Sequence, residues 1–506
     1  MIDAYISTPL AMLTQAGWMY VFLVIIGGLI IGAFLGAMPG ITATVAVALM
    51  FPPSIYMPSL LGIIFLSSIY TGGVYGGGVM SIALNIPGSG AAVATTFDGY
   101  PMTQKGLYFQ AVGYGLMSSV IGCLAAYIAI FFLLVPIGLF ALKFGPPEIM
   151  MIAIFAFSII GFVTGNMLKS LIGGFTGLLL GTVGSNSLAQ PRGILGFFEL
   201  LDGLPFVVTL IGLFAISEAF FLMFKESIVQ KGVGDEVLHK KFDVQGIMEG
   251  FKGVFRYPVT LIRSMIIGLG IGIVPAAGST IASIISYGQA QSNAKNPKEF
   301  GTGCPEGVVA AETANNSSEA GAMATMLCFG IPGSSATAVL MGAFMVHGLL
   351  PGPYLVRDHM DFAYAVIISN FIQGILLVLV GLFLIYSIGR IIAIPTKILV
   401  PMIIATSVLG AFAARQIYLD VFIVLIFGII GYMMRKYDYS SLAMVLGLIL
   451  SGIMENEFFR TYSLYSGRFE KLFLRPIFDL LLIVTIVSLF YPVIKRYVEQ
   501  RKKTSE

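Results

Sequence analysis

Four proline or proline–glycine motifs interrupt apolar segments of this 506-residue chain. They begin at Pro39, Pro87, Pro275 and Pro332. A proline inside a helix removes a backbone hydrogen bond and clashes with the preceding turn. Freed backbone groups at membrane depth are tolerated only inside protein or beside water. Each motif therefore predicts a helix break that lies beside a cavity or a binding site.

The residues that follow the four breaks are typical of new helix starts, since small hydroxyl residues such as Thr42, Ser89, Ser279 and Ser334 come soon after them. Such residues cap helix N-termini. The free N–H groups and the positive dipole end of a helix start favour anions. Four converging starts are therefore expected to hold a carboxylate without a buried arginine, while freed carbonyls can coordinate sodium.

We expect the break residues and their polar neighbours to form one substrate site. The predicted substrate-binding residues are Pro39, Gly40, Thr42, Thr44, Asn85, Pro87, Gly88, Ser89, Ser279, Thr280, Asn315, Asn316, Ser317, Pro332, Gly333, Ser334 and Ser335. Backbone groups near Gly40, Gly278 and Asn316 are the candidates for a sodium site. No catalytic residue and no cofactor are predicted.

A polar segment from Cys304 to Glu319 precedes the break at Pro332 and contains Glu312, Asn315 and Asn316. One interpretation is an exposed loop or helix start with capping residues. The other is a helix that lines the site, which the adjacent break favours. The matching stretch of the first half, 70–85, is rich in glycine instead.

The motifs recur in the same order in both halves of the chain. The offset between Pro39 and Pro275 is 275 − 39 = 236, and that between Pro87 and Pro332 is 332 − 87 = 245. Pro101 and Pro351 are a further candidate pair, at 351 − 101 = 250. The change from 236 to 245 indicates an insertion in the second half, which we place at 292–299. Paired helix breaks of this kind indicate a repeat around a transport site.

Composition indicates a membrane protein, because 57% of the residues are hydrophobic and only 10% are charged. Recurrent apolar runs predict an all-α polytopic protein with roughly 12 membrane-spanning segments. We expect two inverted repeats with broken helices or re-entrant hairpins. The three cysteines fit neither a disulfide framework nor a metal pattern, so we expect buried apolar thiols.

Three regions are predicted: an N-terminal membrane half over 1–224, a basic loop over 225–257 and a C-terminal membrane half over 258–506. The loop carries several lysines and Arg256, which indicates the cytoplasmic side. The outward-facing segment 455–476 also holds four basic residues, which conflicts with that orientation. No cleavable signal peptide and no nucleic-acid-binding pattern are predicted.

An intramembrane enzyme is disfavoured by the residues available for chemistry. The chain has three histidines, His239, His347 and His359, and no HExxH motif or clustered pair of acids. A nucleophile with a base, or a metal site, would need such groups.

The motifs together resemble the large membrane subunit of the tripartite tricarboxylate transporter family. The resemblance extends from about residue 17 to 420 and rests on the following segments. They are Pro39-Gly40, Leu84 to Gly88, Asp98 to Pro101, Glu306-Gly307 through Glu312 to Asn316, Gly330 to Gly333, and His347-Gly348 to Pro353.

The resemblance implies a secondary transporter subunit that imports di- or tricarboxylates such as citrate across the cytoplasmic (inner) membrane. A sodium or proton gradient is expected to drive it. The implied partners are a small four-span membrane subunit and an extracytoplasmic substrate-binding protein, within membrane lipid. The alternative is a stand-alone permease or channel for another small organic anion.

The sequence departs from the family pattern near the predicted site. Thr42 and Ala276 replace frequent glycines, Ala311 replaces a proline, and Ser89-Gly90 replaces Glu-Pro. These departures bear on substrate identity more than on the transport function.

Overall fold

The computed structural model describes residues 2–38, 41–163, 167–186, 190–223, 242–275, 277–392, 396–466 and 468–487. The protein is all-α apart from one two-stranded hairpin, in which β1 (Gly184–Ser185) pairs antiparallel with β2 (Pro191–Arg192). The predicted fold class, an all-α polytopic membrane protein, is confirmed.

The helices are numbered along the chain. They are α1 (Ile2–Ala16), α2 (Trp18–Gly36), α3 (Ala43–Ile55), α4 (Ser59–Leu84), α5 (Val93–Gln104), α6 (Tyr108–Ala141), α7 (Pro146–Val163), α8 (Met167–Gly181), α9 (Phe206–Met223), α10 (Val244–Val254), α11 (Pro258–Ile273), α12 (Gly278–Asn293), α13 (Pro305–Phe329), α14 (Ser335–Val346), α15 (Pro353–Asp358), α16 (Met360–Ile392), α17 (Thr396–Arg415), α18 (Tyr418–Lys436), α19 (Ser441–Tyr465) and α20 (Pro476–Val487). Short 3₁₀ turns precede α5, α9, α13 and α20, and α9 contains a π-helical segment at Gly212–Ile216.

Eight helices of the described ranges are long and apolar enough to cross a membrane. A ninth span results if α10 and α11, which meet at a bend of 78°, cross as one unit. Five further apolar helices are shorter, with 10–17 residues. The expectation of roughly 12 spans stays a prediction, since short broken helices can share one crossing.

Helices end and restart at the four predicted breaks. The gaps separate α2 from α3, α4 from α5, α11 from α12, and α13 from α14. Pro39 and Gly40, at the first break, lie outside the described residues, as does Ala276 at the third. The proline–glycine motifs therefore do interrupt helices.

The two halves of the chain repeat the same backbone conformation. Helix α4 ends at Asn85 with φ 57°, and α13 ends at Gly330 with φ 68°, both left-handed. Ser89 and Ser334 are both extended, with φ −148° and ψ 166° or 168°. Both pairs are 245 residues apart (330 − 85 and 334 − 89).

The helix contacts repeat as well. A Cβ placed on Gly88 would lie 2.7 Å from the carbonyl oxygen of Gly36, and one on Gly333 would lie 2.7 Å from that of Gly272. Gly32 contacts the backbone of Ile69 in the same manner as Gly268 contacts that of Ala314. Gly268 of α11 follows Gly32 of α2 by 236 residues (268 − 32), and Ala314 of α13 follows Ile69 of α4 by 245 residues (314 − 69). These are the same two offsets that relate the helix breaks. Helices α2 and α4 therefore pack as α11 and α13 do, which is the repeat that the motif spacing predicts.

The length difference lies where the sequence places it. Residues 56–58 connect α3 to α4, whereas residues 294–304 connect α12 to α13.

One predicted pairing of the two halves is wrong, that of Pro101 with Pro351. Pro101 lies inside α5, whereas Pro351 follows the end of α14. Gly106 and Gly348, both with positive φ after those helices, are the equivalent positions. The inverted orientation of the repeats stays a prediction.

The chain forms two compact units. One comprises Met1–Gly138 and Val207–Tyr432, and the other comprises Leu139–Phe206 and Met433–Glu506. In the second unit, α7 and α8 pack on α19, and Glu148 forms an ion pair of 2.5 Å with Arg475. All predicted substrate-binding residues that the structure describes belong to the first unit. The three-region division predicted from sequence stays a prediction.

Two glycines of α11 provide a matched test of the helix contact. Gly272 abuts the backbone of Ser318, whereas a Cβ at Gly270 would have no neighbour within 4 Å. We expect Gly272→Val to destabilise the protein by about 1–3 kcal/mol through overpacking. Gly270→Val should change the thermal unfolding midpoint of the purified protein little. Equal midpoints for the two variants would contradict the packing described here.

Candidate functional site

Helix α13 is the polar centre of the first unit. Every residue of it from Gly307 to Cys328 is buried, although this stretch contains two glutamates and two asparagines. The exposed-loop interpretation of this segment is therefore wrong: it is a helix enclosed by other helices. Buried polar groups at membrane depth are costly and commonly mark a substrate or ion pathway.

Glu312 is held by hydroxyl groups from two other helices. Thr95 Oγ1 of α5 donates to Oε1 at 2.5 Å, and Ser119 Oγ of α6 donates to Oε2 at 3.0 Å. A Cβ at Gly78 of α4 would lie 2.6 Å from Oε1, so only glycine leaves room for the carboxyl group. The glycine-rich stretch of the first half thus accommodates an acid of the second.

Glu319 lies two turns further along the same face of α13, about 10 Å away at 1.5 Å per residue. Thr71 Oγ1 of α4 donates to its Oε2 at 2.9 Å, and Asn316 Nδ2 donates to its Oε1 at 3.3 Å. Within the described parts of the chain, no Lys, Arg or His nitrogen lies within 4.0 Å of either glutamate. Both carboxyl groups therefore depend on neutral donors.

Two asparagines lie between the glutamates with unused polar atoms. Among the described residues, neither amide atom of Asn315 makes a hydrogen bond of good geometry, although the amide lies close enough to the Glu312 carboxyl group to interact with it. Oδ1 of Asn316 has no partner, and both side chains are fully buried. An unpaired buried polar atom costs about 1–3 kcal/mol. Such atoms are expected where a ligand, ion or water completes the hydrogen bonding.

Helices α4 and α16 bring a second set of polar groups to this region. Gln373 Nε2 donates to Ser67 Oγ at 3.0 Å and to Asn370 Oδ1 at 2.8 Å, while its Oε1 lies 3.3 Å from Thr71 Oγ1. These four side chains are at most 1% exposed. They extend the polar region from Glu319 across the helix contact.

The segments after the breaks pack across the repeat. Helix α14 packs on α3 and α4, and the turn before α5 packs on α12. Tyr70 Oη and Ser334 Oγ are 3.2 Å apart, and Ser283 Oγ donates to the carbonyl of Ala91 at 2.7 Å. Each half therefore places its second break against the helices of the other half.

A match to a family model supports the resemblance seen in the sequence. Residues 22–446 match the model described as the tripartite tricarboxylate transporter TctA family, which is most of the chain. The chain belongs to this family. It is therefore a transporter subunit of a tripartite system, which implies partner subunits.

Two relatives from Agrobacterium vitis carry no functional name. The chain is 30% identical over 478 residues, 94% of both chains, to an uncharacterized 52.8 kDa protein in the TAR-I ttuC' 3' region. It is also 30% identical over 197 residues to an uncharacterized protein in the TAR-II ttuC' 3' region. That match covers 39% of this chain and 81% of the relative. No solved structure matches the chain.

Two of the predicted helix starts of this TctA-family protein have hydroxyl caps. Thr42 accepts from Val45 N at 3.3 Å, and Ser334 forms a reciprocal capping box with Thr337. Ser89 makes no side-chain cap, and Ser279 and Thr280 lie inside α12 rather than at its cap. The expectation that hydroxyl residues cap all four helix starts is therefore wrong for the starts that precede α5 and α12.

The other predicted residues separate into groups. Asn315 and Asn316 lie between the glutamates, and Gly88 and Gly333 contact helix backbones. Ser317 donates to Ala314 O and abuts Gly268, so the geometry favours a packing role for it. The remaining residues differ in exposure. Asn85 and Pro87 are exposed, Pro332 is buried, and the half-buried residues are Thr44, Ser279, Thr280 and Ser335. Substrate contact by any of these residues stays a prediction.

Sequence reasoning missed several polar residues that lie on α13 or contact it. Glu319 was not predicted as a site residue, nor were Thr71, Thr95, Ser119 and Gln373, which lie on other helices. The i, i+3, i+4, i+7 spacing of Glu312, Asn315, Asn316 and Glu319 is the signal that could have identified Glu319 as part of one helix face. The residues on α5, α6 and α16 carry no such signal.

An apolar cavity of about 400 Å³ lies between α1, α6 and α16. Its lining residues are Ile6, Leu10, Tyr127, Ile128, Phe131, Phe132, Ile367, Ile368 and Phe371. This lining has no charged group and is unsuited to a carboxylate.

Asp98 fixes the start of α13. Its Oδ1 accepts from the backbone N–H groups of Gly301, Gly303 and Cys304 at 2.7–2.9 Å, and its Oδ2 accepts from Tyr287 Oη at 2.9 Å. The first half therefore positions the polar helix of the second half through one carboxylate.

We expect Asp98→Ala to destabilise the protein by about 3–5 kcal/mol, because three backbone donors lose a charged acceptor. The measurement is thermal unfolding and the yield of monodisperse protein. Asp358→Ala is the control, since this aspartate is exposed and, among the residues that the structure describes, its ion pair is with the adjacent Arg357. A midpoint for Asp98→Ala within about 1 °C of the control (roughly 1 kcal/mol for a chain of this length) would contradict an anchoring role.

Proposed function

We propose that the chain is the membrane subunit that carries a di- or tricarboxylate, such as citrate, across the cytoplasmic membrane. The observation that carries the proposal is the buried face of α13, where Asn315 and Asn316 leave amide atoms without partners between two glutamates. The free donor on this face is Asn315 Nδ2, since Asn316 Nδ2 already donates to Glu319. Amide N–H groups and helix starts are donors that suit a carboxylate. The substrate is expected to bind there, between the breaks of the two halves.

The charges near this face support coupling to a cation. Among the described residues, the fully buried side chains include Glu312 and Glu319 but no lysine or arginine. A carboxylate substrate beside ionised glutamates would be repelled, because like charges interact strongly where water is excluded. Uptake of a proton or sodium ion with the anion removes that repulsion. A cation gradient is therefore the proposed driving force.

An extracytoplasmic binding protein and a small membrane subunit are the proposed partners, as the tripartite family implies. The alternative is a permease that works alone. Uptake of labelled citrate by cells expressing the chain alone, with the small subunit, and with both partners distinguishes the two. We expect uptake above background only with both partners. Equal uptake by the chain alone would favour the stand-alone permease.

Asn315→Ala separates a substrate role from a structural one. Because the Asn315 amide makes no hydrogen bond of good geometry to the described protein, and only a looser contact with Glu312, its removal should change the unfolding midpoint little. Uptake should fall by about tenfold or more, the effect of losing one hydrogen bond to a charged ligand.

The control is Asn293→Ala, whose exposed side chain donates only to its own helix turn and to Ser292. It should retain uptake and stability. Wild-type uptake by Asn315→Ala at equal expression would contradict substrate binding at this face.

A further inference from the structure

Helix α10 has three faces of different composition. Its buried face packs on the start of α6, where Gly250 abuts the carbonyl group of Gln110 and Gly253 abuts the ring of Tyr114. The other two faces are exposed, and one of them is apolar while the other is polar. Among the described residues, protein therefore covers only the first face of α10.

The exposed apolar face has the spacing of a helix stripe. Val244, Met248 and Phe255 are 59%, 44% and 60% exposed, and they follow one another at intervals of four and seven residues. Residues at these intervals lie on one side of a helix. A short helix with an exposed apolar face beside a charged one is typical of helices that lie at a membrane surface.

Helix α11 continues this apolar stripe. Val259, Ile262 and Ile266 of α11 are exposed to a similar extent. The offset of 236 residues that relates the two halves pairs α11 with α2, which is long and apolar enough to be a span by itself. Helix α11 can therefore cross without α10. Because α10 meets α11 at a bend of 78°, α10 runs close to the membrane plane when α11 runs along the membrane normal.

The polar face of α10 carries charges that hydrocarbon does not accommodate. It consists of Gln245, Glu249, Lys252 and Arg256, which are all exposed and again three or four residues apart. Gln245 Nε2 donates to Glu249 Oε1 at 3.3 Å, whereas Lys252 and Arg256 form no ion pair within the described ranges. Charged side chains at the centre of a bilayer are costly, so a crossing that includes α10 is disfavoured.

Aromatic side chains beside α10 indicate the level of the membrane surface. Phe242 lies just before the helix, and its ring centroid is 5.7 Å from that of Phe109 and 5.6 Å from that of Tyr386 on α16. The Tyr386 side chain is exposed. Tyrosine is enriched at the boundary between lipid and water. The group therefore favours a position of α10 at that boundary.

We propose that α10 lies in the cytoplasmic surface of the membrane, with its apolar face among the acyl chains and with Lys252 and Arg256 bound to anionic phospholipid headgroups. The side follows from the basic segment 225–257, since such segments stay in the cytoplasm. The cytoplasmic leaflet carries anionic lipids, whose charge complements these two residues. Lipid, and not protein, is the proposed occupant of the apolar face because that face is continuous with the exposed apolar stripe of α11.

The first test measures the depth of the two exposed faces by tryptophan fluorescence in nanodiscs. The chain has one tryptophan, Trp18, so a Trp18→Phe background can carry a single probe as Met248→Trp or Gln245→Trp. Phospholipids brominated along the acyl chain should quench the probe at 248 at least about twice as strongly as the probe at 245, because the apolar face of such a helix lies about 5–10 Å deep.

Equal quenching of the two probes would place the whole helix in hydrocarbon and overturn the proposal, as would absence of quenching at position 248. Loss of that quenching when the small membrane subunit is present would assign the apolar face to the subunit and would also overturn it.

The second test measures headgroup binding. Phosphatidylglycerol or phosphatidylcholine is titrated into the purified full chain in detergent, and the unfolding midpoint reports binding, since a ligand of the folded state raises it. We expect a greater rise with phosphatidylglycerol. Lys252→Gln and Arg256→Gln should each weaken its apparent affinity about fivefold, the effect of one basic group near an anionic surface.

Lys298→Gln is the matched control, because it removes the same charge from an exposed position in the connection between α12 and α13. It should retain the wild-type response. Equal responses of the wild type to the two lipids would overturn the headgroup assignment, as would a full response to phosphatidylglycerol when Lys252 and Arg256 are both replaced. Neither test depends on the substrate, so a failure of citrate uptake leaves the result interpretable.

Discussion

The close backbone approach of α2 to α4, and of α11 to α13, is the interaction on which the other features depend. Polar backbone ends at membrane depth persist only when protein encloses them. Glycines on α2 and α11 allow that enclosure, since Gly36 and Gly272 place their carbonyl oxygens against Gly88 and Gly333 just beyond the second breaks. Small residues at helix contacts permit such short distances. Each second break is therefore held by packing within its own half of the chain, and it also contacts helices of the other half.

The two halves share a backbone but differ in chemistry. Subtracting 245 from Glu312 and Glu319 gives Ser67 and Val74, so the first half has no acid at either position. The same subtraction relates Asn315 and Asn316 to Tyr70 and Thr71. Thr71 nonetheless contacts Glu319, and Tyr70 contacts Ser334. The first half supplies space and hydroxyl donors, and the second half supplies charge and amides, which gives one asymmetric region rather than two equal sites.

The sequence alone predicts the repeat, the four breaks and the inserted connection, because Pro and Gly constrain the local backbone. It also predicts that Asn315 and Asn316 lie in a polar helix near the breaks. It does not predict the partners of Glu312 and Glu319, since Thr95, Ser119 and Gln373 come from helices that are distant in the chain. The anchoring contacts of Asp98 are likewise tertiary. The pairing of Pro101 with Pro351 fails because a shared residue type does not require a shared position in the helix.

The spacing of the two glutamates gives a reason for anion and cation to bind together. Two turns of α13 separate the carboxyl groups by about 10 Å, and the Asn315 amide and the unpaired Oδ1 of Asn316 lie between them. An anion bound by Asn315 Nδ2 would approach both carboxyl groups in a medium where charges interact strongly. Uptake of a cation or proton with the anion would remove one repulsion, and the hydroxyl donors of Thr95 and Ser119 moderate the one at Glu312. A state with the anion but without the cation is thus disfavoured, which is the energetic condition for coupled transport.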